Sequence, residues 1–201
     1  MSVPRLKLGF LASGNGTSAR AIVNAIKAGE LAAEARLLVS NNRTAPALEF
    51  AREAGVPALC IPTQADPDGA DESLAAELAE HGVEVVVLSG YLRMLGPATL
   101  GRYGGRILNI HPGPLPQFGG HGMYGRRVHE AVLAAGVRES GAAIHLVDEE
   151  YDRGPIVAQR SVAVEPGDTP GSLEARVTAL EPVFFVETLA RIADETLALP
   201  R

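Results

Sequence analysis

The chain has 201 residues, a formal net charge of −6 and an apolar share of 46%, enough for one domain, or two closely packed halves, with a substantial core. Lys and Arg number 18 against 24 Asp and Glu, with no basic block; this balance argues against a nucleic-acid-binding surface, and no apolar run approaches membrane-spanning length. The lone Cys60 cannot form an internal disulfide and Met1 to Gly9 shows no charged-then-apolar leader, so the expected compartment is the cytoplasm.

Leu6 to Ala12 reads as a strand, followed by Ser13-Gly14-Asn15-Gly16-Thr17-Ser18 and then by Ala19, Ile22, Val23 and Ile26 at helical spacing. Strand, glycine-rich turn and helix in that order suit a phosphate, because glycine lets backbone approach a ligand and helix-start amides carry partial positive charge. Ser13, Asn15 and Thr17 add side-chain donors. An ordinary βα turn with a polar N-cap accounts for the same residues equally well. Gly14 to Ala19 also fits G-x-G-x-x-A, but the second strand, about Ala35 to Val39, runs into Ser40-Asn41-Asn42-Arg43 without a carboxylate for a ribose. That weakens an NAD reading and leaves an NADP variant through Arg43.

Next come a helix from Pro46 to Ala54 closed by Gly55, a short strand near Ala58 to Ile61, and a helix from Asp71 to His81 closed by Gly82. Val83 to Leu88 is a dense β-branched run, as in a strand buried on both faces. Ser89 to Gly96 is unusually apolar for a connection, and serves either as core packing or as a holder for a flat aromatic ligand. Arg106 to Ile110 is a further strand, ending in Asn109-Ile110-His111-Pro112-Gly113-Pro114-Leu115-Pro116. Extended backbone puts Asn109 and His111 on the same side. The prolines fix φ and remove donors, so the loop holds the imidazole at the strand end; a structural histidine in a proline-rich turn is the plain alternative.

A helix from Tyr124 to Ala135 closed by Gly136 precedes strands Gly141 to Val147 and Ile156 to Val164, which are close enough to pair antiparallel. Thr169-Pro170 opens a final helix through about Leu197, with a kink expected at Pro182. The expected fold is α/β and Rossmann-like: a mostly parallel twisted sheet with helices on both faces and an antiparallel portion in the C-terminal half. A single domain is expected, with residues 1–100 as a phosphate-binding half and 101–201 as a catalytic half. The carboxyl ends of the parallel strands share one edge, so the loops at 13–18, 89–96 and 109–118 should be neighbours.

Asp148, Glu149, Glu150 and Asp152 lie between the last two strands. One carboxylate beside an imidazole would orient the ring and favour its charged form; the residues themselves leave open which of the four does so. His121, His129 and His145 have no spacing that makes a metal site with His111, and no metal is expected. His129 reads as a surface or packing residue, His145 as a hydrogen-bonded structural residue or an active-site support, and Cys60 as a small core residue.

Asn109-Ile110-His111-Pro112, the Ser13-Gly14-Asn15-Gly16-Thr17 turn, Gly90-Tyr91-Leu92-Arg93-Met94-Leu95 and Asp152-Arg153-Gly154-Pro155 together resemble the phosphoribosylglycinamide formyltransferase family, folate-dependent enzymes of purine synthesis. The resemblance covers nearly the whole chain in the family's order. It implies direct formyl transfer from 10-formyltetrahydrofolate to the amine of 5'-phosphoribosylglycinamide, with small-molecule substrates only, in a monomer or homodimer. By the same resemblance Asn109, His111 and Asp152 are the catalytic trio, with His111 as an imidazolium kept charged by Asp152. Ser13, Gly14, Asn15, Gly16 and Thr17 would hold the phosphate, and Glu181 the glycinamide end. Arg93, Met94 and Leu95, with Asn109, would line the folate pocket, and Gly120 to Gly125 would form a substrate-side loop.

Two positions depart from the family pattern. Ser18-Ala19 stands where Asn-Leu is common, and Asp68-Gly69-Ala70-Asp71 lacks an arginine that assists phosphate binding in some members. Methionyl-tRNA formyltransferase and formyltetrahydrofolate deformylase share the Asn-x-His core but need an additional domain, for which this chain has no room. Outside the family, an NADP-dependent oxidoreductase and a non-catalytic nucleotide-binding module are the competing functions, and only the formyltransferase requires a folate site.

Overall fold

The computed structural model describes residues 5–199, so Met1 to Pro4 of the expected leader-free segment lie outside it. The first half alternates strand and helix: β1 (Leu6–Leu11), α1 (Thr17–Ala28), β2 (Ala33–Ser40), α2 (Pro46–Glu53), β3 (Ala58–Cys60), α3 (Pro67–Glu80), β4 (Val85–Leu88), α4 (Pro97–Tyr103) and β5 (Ile107–His111). Then come α5 (Arg126–Ala134), β6 (Glu139–Leu146), β7 (Ile156–Ala163) and α6 (Pro170–Ala193). The seven strands form one sheet in the order β3-β2-β1-β4-β5-β6-β7. From β3 to β5 all pairings are parallel, whereas β5·β6 and β6·β7 are antiparallel. This is the mixed, Rossmann-like sheet that the alternation predicts.

The chain winds outward from β1 to β3, then returns to the other side of β1 as β4. That reversal opens a crevice between the carboxyl ends of β1 and β4, where open α/β sheets bind ligands. Helices cover both faces. Leu8, Phe10, Ile22, Val87, Leu108 and Phe185 share one buried cluster; Leu11, Val39, Leu78, Val86, Tyr103 and Ile107 form the other. Val86 and Val87 face opposite clusters, which explains the unbroken valine run: this strand has no polar face to display. Cys60 packs partly buried against the first cluster, as expected.

Several boundaries move, each for a physical reason. α3 begins at Pro67 rather than Asp71, because Asp66 caps it, accepting the Gly69 N–H at 2.9 Å, with Pro67 in the first turn. The expected elements omit α4 altogether. Its first amides are received by the buried Asp71 of α3, which accepts from Gly96 at 3.1 Å and from Ala98 at 2.8 Å. A cap supplied from 25 residues away leaves no local signature. β5 runs on through His111, held by pairing with Ala143 of β6, and β6 starts at Glu139 rather than Gly141. β2 starts at Ala33 and β4 only at Val85. α5 starts at Arg126 because Gly125, at φ 54°, breaks the backbone there. α6 opens on a reciprocal Thr169–Ser172 cap, contains Pro182 and ends at Ala193, short of Leu197.

Candidate active site

On the β1 side of the crevice the chain turns through Ser13 to Gly16 into α1. Gly16 is left-handed (φ 62°, ψ 46°), and a Cβ there would sit 3.0 Å from that of Ala47. Glycine is therefore required by both conformation and packing. At Gly14 a Cβ would meet no protein atom within 4 Å. The Ala19 N–H is taken by the Ser89 hydroxyl at 3.0 Å and the Arg20 N–H by the Gly16 carbonyl, so the amides ahead of Ala19 form the electropositive helix start. Asn15 and Thr17 are exposed beside them. Ser13 is used differently from the expectation: its hydroxyl donates to Asn41 Oδ1 at 2.6 Å and accepts the Leu92 N–H at 2.8 Å. Its own N–H donates to the Gly90 carbonyl at 3.0 Å. Ser13 thus braces the turn against the loop after β4, and its only hydroxyl proton is already committed.

Asn109 and His111 occupy alternate positions of β5 and share a face of the sheet. Antiparallel pairing brings His145 of β6 opposite Asn109. Asn109 Nδ2 lies 3.1 Å from His145 Nε2, while His145 Nδ1 lies 2.8 Å from the Leu146 carbonyl. A carbonyl only accepts, so His145 Nδ1 carries a proton; a neutral ring then receives the Asn109 amide on Nε2, and a charged ring presents an Nε2–H to Asp152 instead. The same logic puts a proton on His111 Nε2, 2.7 Å from the Phe118 carbonyl. Asp152 stands between the rings, with Oδ2 3.4 Å from His111 Nδ1 and Oδ1 3.4 Å from His145 Nε2.

Exposure decides among the four acids: Asp148, Glu149 and Glu150 are exposed, and Asp152 is half-buried. Asp152 adopts φ 56° and accepts the Gly120 N–H at 3.0 Å. Gly119 permits this approach, since a Cβ there would come within 3.0 Å of that of Asp152 and collide with Leu115. Burial pushes the Asp152 carboxyl up, but His145, His111 and the Gly120 N–H together outweigh it and hold the group below its ordinary 3.8. It is ionised at neutral pH.

His111 corrects an expectation. Burial lowers its pKa below 6.5, and although Asp152 and the Phe118 carbonyl pull it upward, they do not offset the loss of solvent; His145 pushes it further down. The resting ring is neutral near pH 7, with its single proton on Nε2 and Nδ1 bare toward Asp152. His129 is a packing residue, 1% exposed, with Nδ1 unpartnered. Among the described residues no cluster of His, Cys, Asp and Glu is arranged to hold a metal.

A cavity of about 100 Å³ lies between the Arg93-Met94-Leu95 loop and the Asp148 to Asp152 loop, with Asn109, His145 and Asp152 on its wall. Across the same loop lies a second cavity of about 300 Å³, reached by Tyr91 and Arg93. A wider cleft, about 590 Å³, runs between Pro114, Leu115 and the β6–β7 edge and touches none of Asn109, His111 and Asp152. Volume is a poor guide here, because the polar groups converge on the smallest of these three cavities. Met94 on its wall is 58% exposed, and Leu92, two residues earlier in the same loop, is 76% exposed. Glu181 stands on α6, four residues from Val177 and Phe185 on that helix's buried face, and α6 packs along α1. Burial alone raises its pKa to about 7, with no cation or donor to offset it.

The formyl transferase family profile matches residues 6–189. The chain belongs to the formyl transferase family. The chloroplastic phosphoribosylglycinamide formyltransferase of Arabidopsis thaliana is 41% identical over 196 residues, spanning 96% of this chain and 67% of its own. The phosphoribosylglycinamide formyltransferase of Escherichia coli (strain K12) is 35% identical over 191 residues, or 94% of this chain and 88% of that one. In three dimensions, glycinamide ribonucleotide transformylase 1 from Symbiobacterium toebii matches with a TM-score of 0.88 at 34% identity, covering 98% of this chain and 91% of that one.

Within this formyltransferase frame the expected residues fall into three groups. Asn109, His111 and Asp152 come together in one cluster. Arg93, Met94 and Leu95 share a cavity wall with Asn109, and the Ser13 to Thr17 turn lies across the crevice, tied to the same loop through Ser13. Glu181 makes no ion pair with the cluster. The sequence reading underrates His145, which becomes visible only through the β5–β6 register, and it misses the pair Gly119-Gly120 that fixes Asp152.

Proposed function

We propose that the protein transfers the formyl group of 10-formyltetrahydrofolate to the amine of 5'-phosphoribosylglycinamide, a step of purine biosynthesis, in the cytoplasm. The observation that carries this reading is one crevice holding an amide, an imidazole and an ionised carboxylate on one side and an open helix-start turn on the other. Residues 1–100 would hold the ribonucleotide phosphate through Gly14, Asn15, Gly16 and Thr17. Residues 101–201 would carry the chemistry, with Glu181 receiving the glycinamide end and the Arg93 to Leu95 loop clasping the folate.

The glycinamide nitrogen attacks the formyl carbon, and the carbonyl pair moves onto oxygen. The Asn109 amide donates to that oxygen as its charge develops. His111 contributes through its depressed pKa: the anion forming nearby raises the proton affinity of the neutral ring, which takes a proton from solvent as the charge develops and returns it to solvent when the carbonyl re-forms. Asp152, ionised and flanked by both rings, takes the proton released by the attacking amine, through water, and returns it to the folate nitrogen as the carbon–nitrogen bond breaks. Protons balance, and no covalent enzyme intermediate forms. The test is a formyl-transfer assay with the purified protein, glycinamide ribonucleotide and 10-formyltetrahydrofolate. Formylated product in that assay, with none from Asn109→Ala, is the expected result; NADPH binding without folate binding would overturn it.

A further inference from the structure

A phosphate dianion needs donors aimed at it, and the turn after β1 achieves this by pinning its carbonyls. The Gly14 carbonyl accepts the Ala47 N–H at 3.2 Å. The Asn15 carbonyl accepts Arg20 Nε at 2.7 Å. In a planar trans peptide the C=O and the following N–H point in opposite directions, and the only cis bond among the described residues is Leu115-Pro116. Two successive carbonyls, one held by Ala47 of α2 and the other by Arg20 of α1, therefore send the Asn15 and Gly16 N–H groups away from those anchors, as in an anion-binding nest.

Arg20 is fixed for this task. Its Nη2 donates to the Pro46 carbonyl at 2.9 Å, and its guanidinium lies 4.6 Å over the Phe50 ring. None of these partners is a carboxylate, so the positive charge at the turn is not neutralised. The neighbouring Gly16 makes such a fixture necessary, because glycine tolerates either orientation of the peptide before it. The flipped orientation would present the Asn15 carbonyl to the phosphate.

We infer that Arg20 is the positioning residue for the ribonucleotide phosphate: by holding the Asn15 carbonyl it aims the Gly16 N–H into the cradle. It supplies positive charge in a chain whose Asp68 to Asp71 segment has no arginine. The inference rests on the ribonucleotide reading above. Arg20→Met should raise the KM for glycinamide ribonucleotide about tenfold or more, the order expected when a charged hydrogen-bonding group is lost. The kcat and the KM for 10-formyltetrahydrofolate should stay within about threefold, small against a lost charged contact. Arg20→Lys, which keeps the charge and one donor, should recover part of the loss. With the dephosphorylated glycinamide riboside the wild type and Arg20→Met should be indistinguishable.

A readout independent of turnover is the Gly16 amide resonance of labelled protein titrated with inorganic phosphate, which should shift in the wild type and fail to shift in Arg20→Met. Equal losses with ribonucleotide and riboside, or an unchanged phosphate titration in Arg20→Met and Arg20→Lys alike, would overturn the assignment. A wild type that shows the phosphate shift but no formyl transfer would instead sink the function and leave the role of Arg20 standing. Should Arg20→Met not fold, the same titration on Arg20→Gln decides the matter.

Discussion

The two walls of the crevice are built from different material. On the parallel side the phosphate turn is mostly backbone, set by Gly16 at φ 62° and by carbonyls tied to Ala47 of α2 and Arg20 of α1. On the antiparallel side the reacting cluster is all side chains, held by a register that places His145 against Asn109 and by a loop that folds Asp152 back between two rings. Backbone binding sites follow from a few consecutive residues. Side-chain clusters depend on pairings such as that of Asn109 with His145, 36 residues apart, and they tolerate desolvation only because their polar groups find partners. The comparison predicts that damage on the antiparallel side falls on turnover, and damage on the parallel side on ribonucleotide affinity.

The largest effect should come from the cluster. Asn109→Ala removes the amide aimed at the developing oxyanion, and turnover should fall by about 10²–10³, the usual loss for one such donor. Asp152→Asn should cost at least as much in turnover. Because Asp152 is a force that raises the His111 pKa against burial, the same substitution should move the His111 titration further down, measurable on the ring protons by NMR. Glu149→Gln should do neither, since Glu149 is exposed. A turnover loss confined to Glu149→Gln would reverse the assignment of the loop.

On the opposite wall, Gly16→Val forces a β-branched residue into the left-handed region, at a cost of roughly 1–2 kcal/mol or more, and drives its Cβ against Ala47. The KM for the ribonucleotide should rise well beyond that for the formyl donor. A selective loss of folate affinity would exchange the two pockets.

These walls differed equally in how far the sequence revealed them. Strand, turn and helix at Leu6 to Ile26 were legible because their causes are local: an apolar run, two glycines and a helical repeat. The parallel sheet followed from alternation, and the strand at Val85 to Leu88 from its lack of a polar face. α4 was hidden because its cap is Asp71, supplied from another helix. His145 was undervalued for the same reason, since nothing in Ala143-Ile144-His145-Leu146 records that Asn109 lies across from it. The charge state expected for His111 went wrong in a different way. Motif spacing indicates a carboxylate neighbour but not the depth of burial, and here burial is the larger influence.

Glu181 offers a smaller effect, readable without turnover. Its pKa rises from 4.5 to about 7 on burial, so between those values the folded protein holds a proton that the unfolded chain releases. Stability should therefore fall as pH rises from about 4.5 to 7 and stay reduced above that window. Glu181→Gln should flatten this slope, raising the melting temperature near pH 8 relative to wild type, while weakening the ribonucleotide. A variant less stable than wild type at pH 8 would show that the carboxylate has a partner in the unliganded protein.

The smallest predicted effect crosses from one wall to the other, and so tests the division most sharply. Ser13 belongs by sequence to the phosphate turn, yet its hydroxyl is spent on Asn41 Oδ1 and on the Leu92 N–H. The latter bond sets the height of the loop that continues into Arg93-Met94-Leu95. In Ser13→Ala the Gly14 and Arg20 anchors of the turn are untouched, because the Ala47 and Asn15 bonds do not involve the hydroxyl. The Leu92 amide, by contrast, loses its acceptor. The KM for 10-formyltetrahydrofolate should then rise by a factor of about 2 to 10, the equivalent of one ordinary hydrogen bond, with the ribonucleotide KM nearly unchanged. The opposite pattern, a loss confined to the ribonucleotide, would mean that the Ser13 hydroxyl turns from its two partners toward the phosphate when substrate binds.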